Sequence, residues 1–151
     1  MKILKFVLLC MLFTSTASAA NITIFYSPTC PHCHHALHII SNDLIYEYDD
    51  LVVTKVDVTT QENRQTFIDA LKKCDYSNGG VPVLVIGEKC FQGYGESLDD
   101  EIRSAIEVDF TDDQKQSAIA NREELKKNRP TFTSKKASRQ KAIVDDTVKK
   151  K

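Results

Sequence analysis

The chain has 151 residues, 42% of them hydrophobic and 27% charged, with a formal net charge of −1. That length suits one domain with a tail rather than several domains. The near-neutral total supplies no overall charge for holding nucleic acid or an anionic membrane. The charge is split, however. Residues 20–110 hold 6 basic and 15 acidic side chains, whereas residues 111–151 hold 12 and 6. An acidic body followed by a basic tail implies two parts with different jobs.

Lys2 and Lys5 open the chain, Phe6–Phe13 forms an apolar core, and residues 14–20 exit through small side chains. This is the pattern of a signal peptide over residues 1–19, cut after Ala19 or Ala20. The apolar run is too short for a membrane-spanning helix. A periplasmic or secreted location is the expectation, in a compartment where disulfides persist. Cys10 leaves with the signal, so Cys30, Cys33, Cys74 and Cys90 remain.

Residues 21–27 alternate and are rich in β-formers, which predicts a first strand. A turn at Pro28 leads into a helix near Cys30, with Pro31 in the first helical turn, where a missing N–H costs nothing. Cys33, Leu37, Ile40 and Leu44 recur at helical spacing as the apolar stripe. His34 and His38 fall four apart on another face. Residues 51–58 predict a second strand, and Thr60 can cap a helix carrying Phe67, Leu71 and Cys74. "SNGG" ends that helix. Residues 81–87 read as a buried strand beginning at Pro82, and residues 89–93 complete a hairpin. Ser97 can cap a last helix carrying Leu98, Ile102, Ala105 and Ile106. The order β-α-β-α-β-β-α predicts an α/β fold: a mixed four-stranded sheet with helices on both faces, over residues 21–107.

Beyond it, Thr111 and Gln114 make a capping box for a polar helix over residues 111–129, with Pro130 past its end. Residues 130–151 are basic and poor in apolar side chains, so disorder is expected. The simplest reading is a soluble extension whose removal leaves activity intact. The alternative is docking on an acidic surface, either a membrane leaflet or the chain's own body.

"CPHCHHALH" (Cys30–His38) carries the chemistry. Cys30 stands at a strand-to-helix junction, where unpaired N–H groups and the helix dipole stabilise a thiolate, the nucleophilic form. His32 can add positive charge to it. Cys33 lies one turn deeper, on the apolar stripe, shielded until it attacks a mixed disulfide on Cys30. The rival reading is a metal site for copper or zinc. Thiolate and imidazole suit both metals, but a closed site needs a second ligand cluster. Cys74 and Cys90 form a second disulfide or remain two buried thiols; both readings stand.

With Val81-Pro82 opening a strand downstream, "FYSPTCPHC" and "GVPVLVIGEKCFQGY" resemble the active-site and cis-proline segments of the thioredoxin superfamily, glutaredoxin branch. The CPHC sequence itself is similar to that of DsbA-type oxidases. The resemblance covers residues 21–107. It implies a thiol–disulfide oxidoreductase, with Cys30–Cys33 as redox disulfide, Cys30 as nucleophile and Cys33 as resolving cysteine. It implies a cis Pro82 facing them, and Val81, Pro31 and Gly93 against the substrate. It also implies protein thiol and disulfide substrates, a redox partner (membrane-bound, soluble or glutathione), no bound cofactor, no nucleic acid and a monomer. A chaperone-like domain using the groove without turnover is a third reading. The chain departs from glutaredoxins in having His32 where they carry tyrosine, no lysine ahead of Cys30, and Gln92-Gly93 in place of paired glycines.

Overall fold

The computed structural model describes residues 19–146. Residues 1–18, which hold all but the last residue of the expected signal peptide over 1–19, and residues 147–151 lie outside the described residues. The elements in chain order are β1 (Asn21–Tyr26), α1 (Pro31–Ile39), a π-helical turn (Ile40–Leu44), α2 (Ile45–Glu47), β2 (Val52–Asp57), α3 (Arg64–Lys73), β3 (Val83–Ile86), β4 (Lys89–Gln92), a 3-10 turn (Glu96–Leu98), α4 (Asp99–Ile106), α5 (Asp112–Lys135), a 3-10 segment (Ala137–Ala142) and β5 (Ile143–Asp145).

The fold is α/β, built on a mixed sheet of order β4-β3-β1-β2-β5. β1 and β2 pair in parallel, as do β2 and β5, while β3 runs antiparallel to both β1 and β4. Strand alternation divides the core. Ile22, Ile24, Val53, Leu84 and Ile86 pack in one cluster with Ala36, Ile40, Ile102, Ala118 and Leu125 from the α1, α4 and α5 side. Phe25, Val56 and Val83 pack in a second cluster with Phe67, Ala70 and Leu71 of α3. Helices therefore cover both faces, as the sequence predicts.

Five strands replace the predicted four, and the fifth comes from the tail. Residues 130–146 are not disordered. They complete α5, turn through the 3-10 segment and add β5 along β2. Phe132 and Ile143 pack against the core, and cationic and amide side chains add further contacts. Arg139 donates to the carbonyls of Ile45, Tyr48 and Leu51, which end the helical stretch below α1. Gln140 donates to the Ser41 carbonyl and Tyr46 hydroxyl. Arg129 reaches Asn42 O and Asp43, and Lys136 reaches Asp49. The basic tail docks on the acidic body, so the preferred reading of a free extension is corrected.

α5 begins with the predicted capping box between Thr111 and Gln114. It runs past Pro130 to Lys135, but its path breaks at Asn128 (φ −151°, ψ 65°), two residues before the proline that cannot supply a helical N–H. Glu47 fastens its middle. This carboxylate is 2% exposed and accepts from Arg103 at 2.9 Å and from Arg122 at 2.9 Å. Burial alone would raise its pKa, but the two guanidiniums hold it below the usual carboxylate range.

Two predicted caps are corrected. Thr60 donates its hydroxyl to the Asp57 carbonyl and so closes a turn; α3 starts after the buried Asn63, whose amide also holds Asp57 O. Ser97 lies inside the 3-10 turn, and α4 starts without a side-chain cap. The α1 stripe shifts too. Ala36 and Ile39 join Cys33, Ile40 and Leu44 in the core while Leu37 is half-buried, and beyond α1 a π turn, closed by Ile45 N–H donating to Ile40 O, inserts one residue.

Candidate active site

The site forms where β1 ends, α1 begins and the chain enters β3. A turn closed by Cys30 N–H donating to Ser27 O carries the chain from β1 into α1. Cys30 is the N-cap of α1 and Pro31 its first helical residue. The Cys30 sulfur takes the place of a capping oxygen: it accepts the Cys33 backbone N–H at 3.2 Å. Cys30 is half-buried, Cys33 fully buried, and both are free thiols. Burial, with a hydrogen bond to Cys30, pushes the Cys33 thiol up to about 12.

The Val81–Pro82 bond is cis. The Val81 carbonyl lies 3.6 Å from Cys30 Sγ, across 51 residues of sequence. Pro82 is buried, and its carbonyl accepts the Gly93 N–H at 2.7 Å. Gly93 adopts φ +79°, a left-handed conformation that favours glycine. Among the predicted site residues, Cys30, Cys33 and Val81 therefore converge, and Pro82 and Gly93 hold the backbone behind them. Pro31 is exposed at the helix start. His32 is exposed as well, and its ring makes no hydrogen bond to the Cys30 sulfur.

The other histidines do not gather. His34, His35 and His38 are exposed, and among the described residues no three His, Cys, Asp or Glu side chains are placed to hold a metal. His34 has a local job that the sequence reading missed: its Nε2 donates to the Pro28 carbonyl at 2.6 Å, tying the turn before Cys30 back to α1. Cys74 and Cys90, left open by the sequence, are joined in a disulfide with Cα atoms 5.8 Å apart. It links the end of α3 to β4 and encloses the segment that carries Val81 and Pro82.

No protein-family model and no curated protein matches the chain. Two solved structures are similar to it. One is a glutaredoxin from Archaeoglobus fulgidus, 20% identical, with a TM-score of 0.43 over 62% of this chain and 92% of that one. The other is the solution structure of a thioredoxin-like protein from Neisseria meningitidis, 18% identical, with a TM-score of 0.37 over 59% of this chain and 75% of that one. The likeness is one of fold.

Proposed function

We propose that the chain is an exported thiol–disulfide oxidoreductase that exchanges disulfides with protein thiols through Cys30 and Cys33. The observation that carries this reading is the asymmetry of the pair. A half-buried sulfur caps a helix, one turn above a buried thiol, beside the carbonyl that precedes a cis-proline. In the reducing direction the Cys30 thiolate attacks a substrate disulfide, forms a mixed disulfide and releases one substrate thiolate. Cys33 then attacks the Cys30 sulfur, its proton passing to the second departing substrate sulfur. The Cys30–Cys33 disulfide and two substrate thiols result. The oxidising direction is the reverse.

Val81 supports a protein substrate. Its carbonyl takes only the Cys30 thiol and its N–H donates to no group among the described residues. These are the two backbone groups that an extended peptide would pair with. The second disulfide, Cys74–Cys90, is consistent with an oxidising compartment and hence with export. A positive His32 near the thiolate would favour the reduced form and make the oxidised form a disulfide donor.

A glutathione redox titration of the mature protein tests this, with bound metal quantified in the same sample. A reversible two-electron couple near about −120 mV indicates a disulfide donor, and one near roughly −230 to −270 mV a reductant. Stoichiometric copper or zinc with no reversible couple would replace the exchange reading with the metal-carrier one.

A further inference from the structure

The loop that presents Val81 to Cys30 is "SNGG", Ser77–Gly80, whose two glycines give it the greatest backbone freedom. It is held from β4. The Gln92 side-chain Nε2 donates to Asn78 O at 3.0 Å and to Gly80 O at 3.1 Å. Asn78 Oδ1 accepts the Gly80 N–H at 3.2 Å from within the loop. The packing is close: a Cβ at Gly80 would lie 3.3 Å from Asn78 Oδ1 and 3.4 Å from Gln92 Nε2. One amide group thus spends both its N–H bonds on the carbonyls flanking Gly79, one residue short of Val81.

We propose that Gln92 is a positioning residue, clamping the Asn78–Val81 loop so that Val81 presents a preformed edge to an extended protein substrate. The inference rests on the exchange reading above for its meaning. A disordered edge would have to be fixed each time a peptide bound, and that cost would weaken binding. Small thiols that reach Cys30 without pairing along Val81 gain nothing from the clamp. Gln92 therefore selects for chain-like substrates.

The test uses the mature protein carrying Cys33→Ala, so that Cys30 is trapped in mixed disulfides. Cys30 joined to β-mercaptoethanol is equilibrated with a short unstructured peptide containing one cysteine. One mixed disulfide is exchanged for the other, and the equilibrium constant measures the preference for peptide over small thiol. Gln92→Glu keeps the shape of the side chain but removes both N–H donors. It should lower the constant by about tenfold, as expected for two lost hydrogen bonds. Gln92→Ala should act in the same direction and serves if the glutamate variant does not fold. Gly80→Ala, which crowds the amide, should lower it less. A constant unchanged in Gln92→Glu and Gln92→Ala would overturn the proposal, as would a parent with no preference for the peptide. A general loss of structure would also lower the constant, so each variant is compared only in samples shown by circular dichroism to be as folded as the parent. A fall that appears only in unfolded samples would overturn the proposal. Turnover of the same peptide as a disulfide by the unmodified protein tests the exchange reading separately, since any accessible thiol can form the trapped species.

Discussion

The Cys30 sulfur lies 3.6 Å from the carbonyl oxygen of Val81, and the Cys33 amide meets the same sulfur at 3.2 Å. One cysteine is therefore partly exposed beside Val81, while the side chain of the other is fully buried. Alkylation of the dithiol near pH 8 should modify Cys30 and spare Cys33, as read by peptide mass mapping. Equal labelling would remove the basis for assigning separate roles. A pH effect accompanies this. Burial raises Cys33 to about 12 in the fold, whereas an unfolded thiol loses its proton near about pH 8.5. The folded state then binds more protons between those values. Stability of the dithiol form should be full below about pH 8.5 and fall as pH rises toward 12. Denaturant titrations across that window check it, and Cys33→Ala should flatten the slope.

This half of the molecule was legible from residue pattern. A cysteine before Pro31, a second one turn later on an apolar stripe, and Val81-Pro82 opening a strand all obey local rules, and the structure places them as those rules require. The tail was not legible. Its order rests in part on Arg122, Arg129, Lys136 and Arg139 meeting carboxylates and carbonyls far away in sequence. No periodicity announces such contacts. The opposite charges of body and tail were the one available signal, and they fit a free tail equally well. Gln92 was unreadable for a related reason: its partners are backbone carbonyls, which every residue has.

Glu47 is the acid-sensitive point of the tail's attachment. Its pKa is held below the normal range by Arg103 and Arg122 despite burial. A carboxylate depressed in the fold contributes stability above its unfolded value of about 4.3, and that stability is lost as pH falls through the folded value. Urea midpoints should therefore drop steeply below about pH 4. Glu47→Ala should cost about 3 kcal/mol at pH 7 by leaving two guanidiniums without their shared partner. It should also reduce the acid-side slope. A variant as stable as the parent at pH 7 would show that α5 is held by other contacts.

Arg139 tests whether the last segment matters to the fold or to the chemistry. Its guanidinium donates to three carbonyls, those of Ile45, Tyr48 and Leu51, at the end of the α1–α2 stretch remote from Cys30. Arg139→Ala should lower unfolding free energy by about 2–3 kcal/mol. Peptide exchange per folded molecule should be unchanged below the melting range. Loss of exchange in a sample still folded by circular dichroism would assign the tail a direct part in the reaction.

The Cys74–Cys90 bond constrains the unfolded chain over a separation of 16 residues. Loop-closure entropy for a ring of that size is worth about 3 kcal/mol, so Cys74→Ser with Cys90→Ser should lower stability by roughly that amount. The bond also anchors β4, which supplies Gln92 to the loop and leads into Gly93, the residue that holds Pro82 O. Hydrogen exchange at residues 77–81 should therefore accelerate more than at β2, whose partners β1 and β5 lie outside the ring that the bond closes. Uniform acceleration across the sheet would indicate a purely global effect. Selective acceleration at the loop would mean that the second disulfide sets the order of the segment facing Cys30.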